Sequence, residues 1–172
     1  VGNARIVFGL RRYGINDRAL ELTRALYDLA RLWPGGRIPE CVGGYARADG
    51  GHPGLYPRAN SPQAWNQSAW PLLVQSLLGL VPFAPFHLLL VDPILPPWLP
   101  ELTLRGVRVG DARVSLRFWR DSGGDSHYEV IEQSGRLRVL RQAWLESLSA
   151  GLWERLTDAA GRPSGRSESQ GG

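Results

Sequence analysis

The chain has 172 residues, 43% of them hydrophobic and 21% charged, a composition that fits one globular domain with a core of its own. A net charge of +4, with 20 basic and 16 acidic residues interleaved, is too weak and diffuse for a nucleic-acid surface. The single cysteine, Cys41, excludes an internal disulfide framework. Every basic residue is Arg, which reads as a usage bias because the arginines are scattered from Arg5 to Arg166. His52, His87 and His127 lie far apart without ligand spacing, so neither a metal nor another cofactor is expected. The apolar runs Leu77–Leu80 and Leu88–Val91 are too short to span a bilayer, and the expectation is a soluble, cytoplasmic chain with no membrane partner.

Residues 4–12 read as a helix already under way. No capping group or signal peptide precedes Val1, which predicts that an N-terminal part of the same protein lies upstream. Tyr13-Gly14 breaks this helix. Asn16 is the expected N-cap of a second, over 17–33, with Leu20, Leu22, Leu26, Leu29 and Leu32 at helical spacing. Trp33-Pro34-Gly35-Gly36 ends it. Residues 34–60 form a long Gly- and Pro-rich loop. It carries Arg37, Glu40, Tyr45, Asp49, His52 and Tyr56, a content that marks a site loop more than a linker.

Ser61-Pro62-Gln63 predicts a helix start, a Ser cap followed by Pro at the first helical position, with the helix running to about Leu80. Pro71 then falls in its middle and should kink it. After Pro82 the character changes. Prolines punctuate 92–100, and strand patterns follow at Leu102–Val109, Ala112–Trp119, His127–Ile131 and Arg136–Leu140. Gly110-Asp111 and Ser122-Gly123-Gly124 read as hairpin turns, so 102–140 is expected to be one small antiparallel sheet. Residues 142–158 return to helical spacing through Leu145, Leu148, Leu152 and Leu156, a stripe suited to docking on the chain's own core. Residues 161–172 read as a disordered tail.

Within this outline, Arg37-Ile38-Pro39-Glu40, Gly44-Tyr45, Tyr56-Pro57 and Ser61-Pro62-Gln63-Ala64-Trp65 form an ordered motif series. It resembles the end of the catalytic domain in the amylo-α-1,6-glucosidase, or glycogen-debranching, type of glycoside hydrolase. Gly9-Leu10-Arg11-Arg12-Tyr13-Gly14, Asp92-Pro93 with Leu95-Pro96-Pro97-Trp98-Leu99, and Val109-Gly110 with Ala112-Arg113-Val114 extend the resemblance over about residues 3–140. Cys41-Val42 departs from it, since the family's common residues after the Glu are Leu-Phe. Val1-Gly2 also departs, standing where the family often has His-Asp.

The resemblance implies a mainly α fold with appended β. Residues 1–82 would be the last helices of an (α/α)6 toroid, 83–140 a C-terminal antiparallel extension and 141–160 a terminal helix. It also implies inverting hydrolysis of α-glucosidic bonds in an α-glucan or glucoside. Such hydrolysis uses two carboxyl groups roughly 6.5–9.5 Å apart, one protonating the leaving oxygen and one activating water. Glu40 is the candidate base, with Asp49 as its rival, and the general acid is expected in the upstream part. Arg37, grouped with the substrate-binding candidates, either orients Glu40 or only forms an ion pair with it on the surface. Tyr45, Tyr56 and Trp65 offer faces on which a pyranose can stack, and Gln63 can either bind a sugar hydroxyl or cap its own loop. The alternatives are a glucosylglycerate- or mannosylglycerate-type hydrolase and a non-catalytic carbohydrate-binding remnant.

Overall fold

The computed structural model describes residues 1–45 and 52–142. Asp49, the 142–158 helical pattern beyond Gln142 and the 161–172 tail lie outside the described residues.

Three helices come first among the regular elements: α1 (Gly2–Arg12), α2 (Asn16–Ala30) and α3 (Ala69–Leu78). α1 touches both of the others. The contact is made by small side chains, Ala4, Ala19 and Ala69, with Val7 and Leu73 between them, so the backbones approach closely. The leucine stripe of α2 is only partly used. Leu22 and Leu26 pack against this cluster, whereas Leu32 lies beyond the end of α2 and is 45% exposed.

Asn16 does not cap α2. Ile15 is the capping residue and makes no side-chain bond there, while Asn16 Oδ1 accepts from Arg11 Nη1. The helix expected from Ser61 is also different. Ala64–Ser68 form a 3-10 turn capped by the Gln63 side chain, and α3 begins only at Ala69. Pro71 is therefore the third residue of α3. Its missing N–H would have had no partner in that first turn, and no kink results.

Two three-stranded sheets follow. The first joins β1 (Val81–Phe83), β2 (Leu88–Val91) and β6 (Arg138–Arg141). In it β1 and β2 are antiparallel, and β2 and β6 are parallel, with Leu88 opposite Arg138 and Val91 opposite Arg141. The second is an antiparallel meander of β3 (Glu101–Val109), β4 (Ala112–Arg120) and β5 (Ser126–Ser134). The Gly110-Asp111 turn closes its first hairpin as expected, with Val109 paired to Ala112. The apolar face of β4 is as expected, with Val114, Leu116 and Phe118 fully buried, but Ser115 on the opposite face is buried as well. The expected fourth strand of the meander belongs to the other sheet, as β6.

These sheets overturn the expectation of a mainly α chain forming part of an (α/α)6 toroid. Of the described residues about 35% are helical and 29% lie in strands, so neither class is an appendage of the other. The larger core is built from Leu89 and Val91 of β2, Val114, Leu116 and Phe118 of β4, and Leu78 of α3. α3 thus serves two cores, the helical one through Ala69 and Leu73 and the sheet one through Val74 and Leu78. Fully burying a side chain such as Phe118 or Leu116 contributes about 1.5–3 kcal/mol. The physical reason for the departure is where this apolar area goes: helices of a toroid bury against other helices, and here α3 buries its C-terminal half against strands.

Arg11 joins the two halves. It is 2% exposed, and its guanidinium donates from Nε to the Ser76 carbonyl (3.0 Å) and from Nη2 to the Asp92 carbonyl (2.6 Å) and carboxylate (3.3 Å). Burial lowers its pKa and the Asp92 carboxylate raises it; a guanidinium keeps its proton through either influence. Beside it, Gly79 ends α3 in the left-handed conformation (φ 60°), and a Cβ there would stand 2.6 Å from the Asp92 carbonyl oxygen. Only glycine permits this approach. The Asp92 and Ile94 amides then donate to the Leu78 and Leu77 carbonyls, so the proline-rich segment completes the C-terminus of α3. Farther along, Trp98 stacks on Tyr27 of α2 (5.1 Å between ring centres), with the Arg24 guanidinium over its ring.

Arg11→Ala removes the guanidinium donor to the Asp92 carbonyl and carboxylate, to the Ser76 carbonyl and to Asn16 Oδ1. The expected loss is about 3–5 kcal/mol, read as a fall in the urea midpoint of the whole chain. At the β4–β5 turn, the His127 ring and the Asp125 amide hold the Asp121 carboxyl below its ordinary range. A depressed carboxyl stabilises the turn above its unfolded pKa of about 3.9, and that contribution is lost as pH falls through the lower folded value. Nuclear magnetic resonance should show the Gly124 and Asp125 amides shifting only below this pH, and Asp121→Asn should abolish the transition.

Candidate functional site

The site loop leaves α2 through Pro34–Gly36, where Gly35 and Gly36 both adopt left-handed backbone (φ 63° and 69°). The reversal brings residues 38–40 alongside 60–63. Gln63 N–H donates to the Ile38 carbonyl (3.2 Å), and Glu40 N–H donates to the Asn60 carbonyl (2.8 Å). Pro39 has no N–H to offer. Its carbonyl accepts from Asn66 Nδ2 at 2.7 Å, and Asn66 is 3% exposed. Residues 38–40 are therefore tied by three consecutive backbone groups, and the Ile38 and Pro39 side chains are buried.

The Glu40 side chain is exposed. Its Oε2 accepts long hydrogen bonds from the Asn60 backbone N–H (3.3 Å) and from Asn60 Nδ2 (3.4 Å). Among the described residues Oε1 accepts none, and no ion pair joins Arg37 to Glu40. The partner of the carboxylate is Asn60, not the nearby arginine. Glu40 borders a cleft of about 210 Å³ whose wall also includes Asn3, Leu26, Leu29, Cys41 and Asn66. Among the described residues Glu40 is the one carboxylate in the cleft wall.

A second tie closes the loop farther out. Val42 pairs with Leu55 as an antiparallel bridge, and Gly43 N–H donates to the Gly54 carbonyl at 2.7 Å. The Tyr45 ring lies on this glycine pair; a Cβ on Gly43 would stand 2.8 Å from it. Tyr45 is nevertheless 87% exposed, and Tyr56 and Trp65 are each 59% exposed. Trp65 immediately precedes Asn66 of the cleft wall. Gln63 Oε1 accepts from the Ala64 N–H at the start of the 3-10 turn, as a cap does. Arg37 is exposed. His52 packs edge-on against Trp33, 4.7 Å between ring centres.

Glu40 and the aromatics stand in sequence motifs, whereas Asn60 and Asn66, which fix the Glu40 backbone and carboxylate, do not. Their only signal was position: each flanks the Ser61–Trp65 segment, and an Asn beside a turn commonly bonds the backbone. Among the described residues no group of His, Cys, Asp or Glu side chains is arranged to hold a metal ion, and no helix is long and apolar enough to cross a membrane.

Asn66→Ala removes the donor to the Pro39 carbonyl inside a buried setting, at an expected cost of about 1–3 kcal/mol. The loss should be local: amide exchange at Glu40 and Cys41 accelerates far more than exchange in β4, and equal acceleration at both would contradict this placement.

Set against protein-family models, curated proteins and solved structures, the chain matches none of them.

Proposed function

We propose that residues 34–45 and 52–66 form a saccharide-binding face that contributes one carboxylate, Glu40, to the inverting hydrolysis of an α-glucosidic bond in the cytoplasm. The observation that carries the reading is the state of that carboxylate. Its backbone is clamped by Asn60 and Asn66, one oxygen is engaged by Asn60, and the other has no hydrogen-bond donor among the described residues. A general base needs such an oxygen, held in place yet able to accept a proton from a bound water. The exposed rings of Tyr45, Tyr56 and Trp65 offer apolar faces with polar edges, which suit a pyranose ring.

The reaction requires a second carboxyl group across the scissile bond. Among the described residues Glu40 has no such companion in the cleft wall; in this reading the proton donor lies in another part of the enzyme, and the chain by itself binds without turning over. The same observation favours a second reading, a saccharide-binding element with no catalytic role. The two part on what Glu40 does once an acid-bearing partner segment is supplied.

Isothermal calorimetry with panose, which contains both α-1,4 and α-1,6 bonds, should detect binding to the chain. Tyr56→Ala should weaken it by about tenfold, the order of one aromatic–sugar contact, whereas Glu40→Gln should leave it nearly intact. Absence of heat with panose and with maltose would sink the saccharide reading altogether. Glucose released from a branched α-glucan by the isolated chain, and lost in Glu40→Gln, would show instead that the proton donor lies within it.

A further inference from the structure

The open face of the β3–β4–β5 meander divides into two halves of different electrostatic character. At one end Arg117 of β4 is fully engaged, donating to Glu101 of β3 (2.8 and 3.1 Å) and to Glu129 of β5 (3.3 Å). At the other end two irregularities coincide. The β3–β4 register shifts between Leu104 and Val107, and the β4–β5 register shifts between Ser115 and Leu116. Bulges bend strands and open space between side chains. Here they leave a hollow of about 310 Å³ lined by Arg105, Gly106, Arg113, Ser115, Glu132 and Ser134.

Three features make this hollow a built site. Ser115 is 4% exposed, and its Oγ accepts from the Gly106 N–H at 3.1 Å. That bond fixes the oxygen, and among the described residues the hydroxyl proton has no acceptor. Gly106 itself adopts φ 65°, with open space where a Cβ would stand. Finally, Arg105, Arg113 and Glu132 form no ion pair among the described residues, in contrast to Arg117 a few residues away. The register explains why they stay apart: Arg113 lies opposite Ser134, and Glu132 lies opposite Ser115. Among the described residues, the hollow thus holds two guanidinium groups and one carboxylate without ion-pair partners, and a buried hydroxyl donor.

We propose that this hollow binds a small phosphate monoester carrying an amino group, the phosphate against Arg105, Arg113 and the Ser115 hydroxyl, the ammonium against Glu132. Guanidinium forks match the oxygens of a phosphate, and a fixed hydroxyl adds a third donor. A single acid among two arginines would only repel a simple anion, and it becomes an asset when the ligand carries a cation. The volume suits a ligand of a few heavy atoms. The site is open to solvent, so its affinity falls as salt rises. This inference involves none of the residues of the Glu40 loop and stands independently of the saccharide reading.

The test is a titration of the full chain with phosphoethanolamine and, separately, with inorganic phosphate, followed through the Gly106 and Ser134 amide signals. Saturable shifts with phosphoethanolamine are expected, weakened by about tenfold in R105Q and in R113Q, the order of one charge-assisted hydrogen bond. Both arginines are exposed, and unchanged melting curves certify the fold of each variant. E132Q supplies an opposite-signed check: it should tighten inorganic phosphate and loosen phosphoethanolamine. Shifts that never saturate, shifts that survive in the R105Q/R113Q double variant, or an E132Q effect of the same sign on both ligands would each overturn the proposal.

Discussion

Arg11 is placed where α1 ends, α3 ends and the chain leaves β2 at Val91. Its guanidinium donates to a carbonyl of α3, to the backbone and carboxylate of Asp92 and to Asn16 at the start of α2. A buried charge of this kind is costly unless it is paired and hydrogen-bonded. Meeting that condition fixes three separate segments relative to one another. The left-handed turn at Gly79 and the amides of Asp92 and Ile94 are arranged around the same point. The helical core and the sheet core meet there, and the position of α3 between them follows from it.

The Glu40 loop depends on this arrangement at one remove. α3 and the 3-10 turn before it present Asn66, and Asn66 holds Pro39. The carboxylate is therefore positioned by a side chain from the helical group and by Asn60 from the returning limb of its own loop. Arg37, three residues away in sequence, is no part of this support. Proximity in sequence suggested an ion pair; the backbone reversal at Gly35-Gly36 and the pairing of 38–40 with 60–63 brought an asparagine there instead.

What was legible in the sequence depended on the range over which the signal acts. α1 and α2 announce themselves through local periodicity, and the β3–β4 hairpin through alternation and a two-residue turn. The start of α3 departs from expectation because Ser61-Pro62-Gln63 carries the local signature of a helix cap while the Gln63 N–H is engaged with the Ile38 carbonyl and the preceding Asn60 carbonyl with the Glu40 N–H. Leu88–Val91 is an uninterrupted apolar run, and periodicity alone cannot assign such a run to strand or helix. Placing β6 beside β2 needs information from a segment some fifty positions away, which no window of the sequence contains. The toroid expectation failed for a related reason. The motifs run through the helical segments and on to Val109-Gly110 and Ala112-Arg113-Val114 of the β3–β4 hairpin, but the destination of the apolar face of α3 is decided by its packing against β2 and β4, which no local motif encodes. Asn60 and Asn66 carried no pattern at all, since a side chain bonding one backbone group leaves no periodic trace.

The parallel pairing of β2 with β6 also sets an order of assembly. The whole meander is inserted between these two strands, so its two ends must meet before the first sheet can close. Forming that ladder directly from an open chain would require closing a long loop, whose entropic cost grows with its length. Once β3, β4 and β5 have formed through their short hairpins, the remaining gap is small. The meander is then the element that matures early, and β6 is the late arrival that locks the chain, as expected when non-local contacts wait upon local ones.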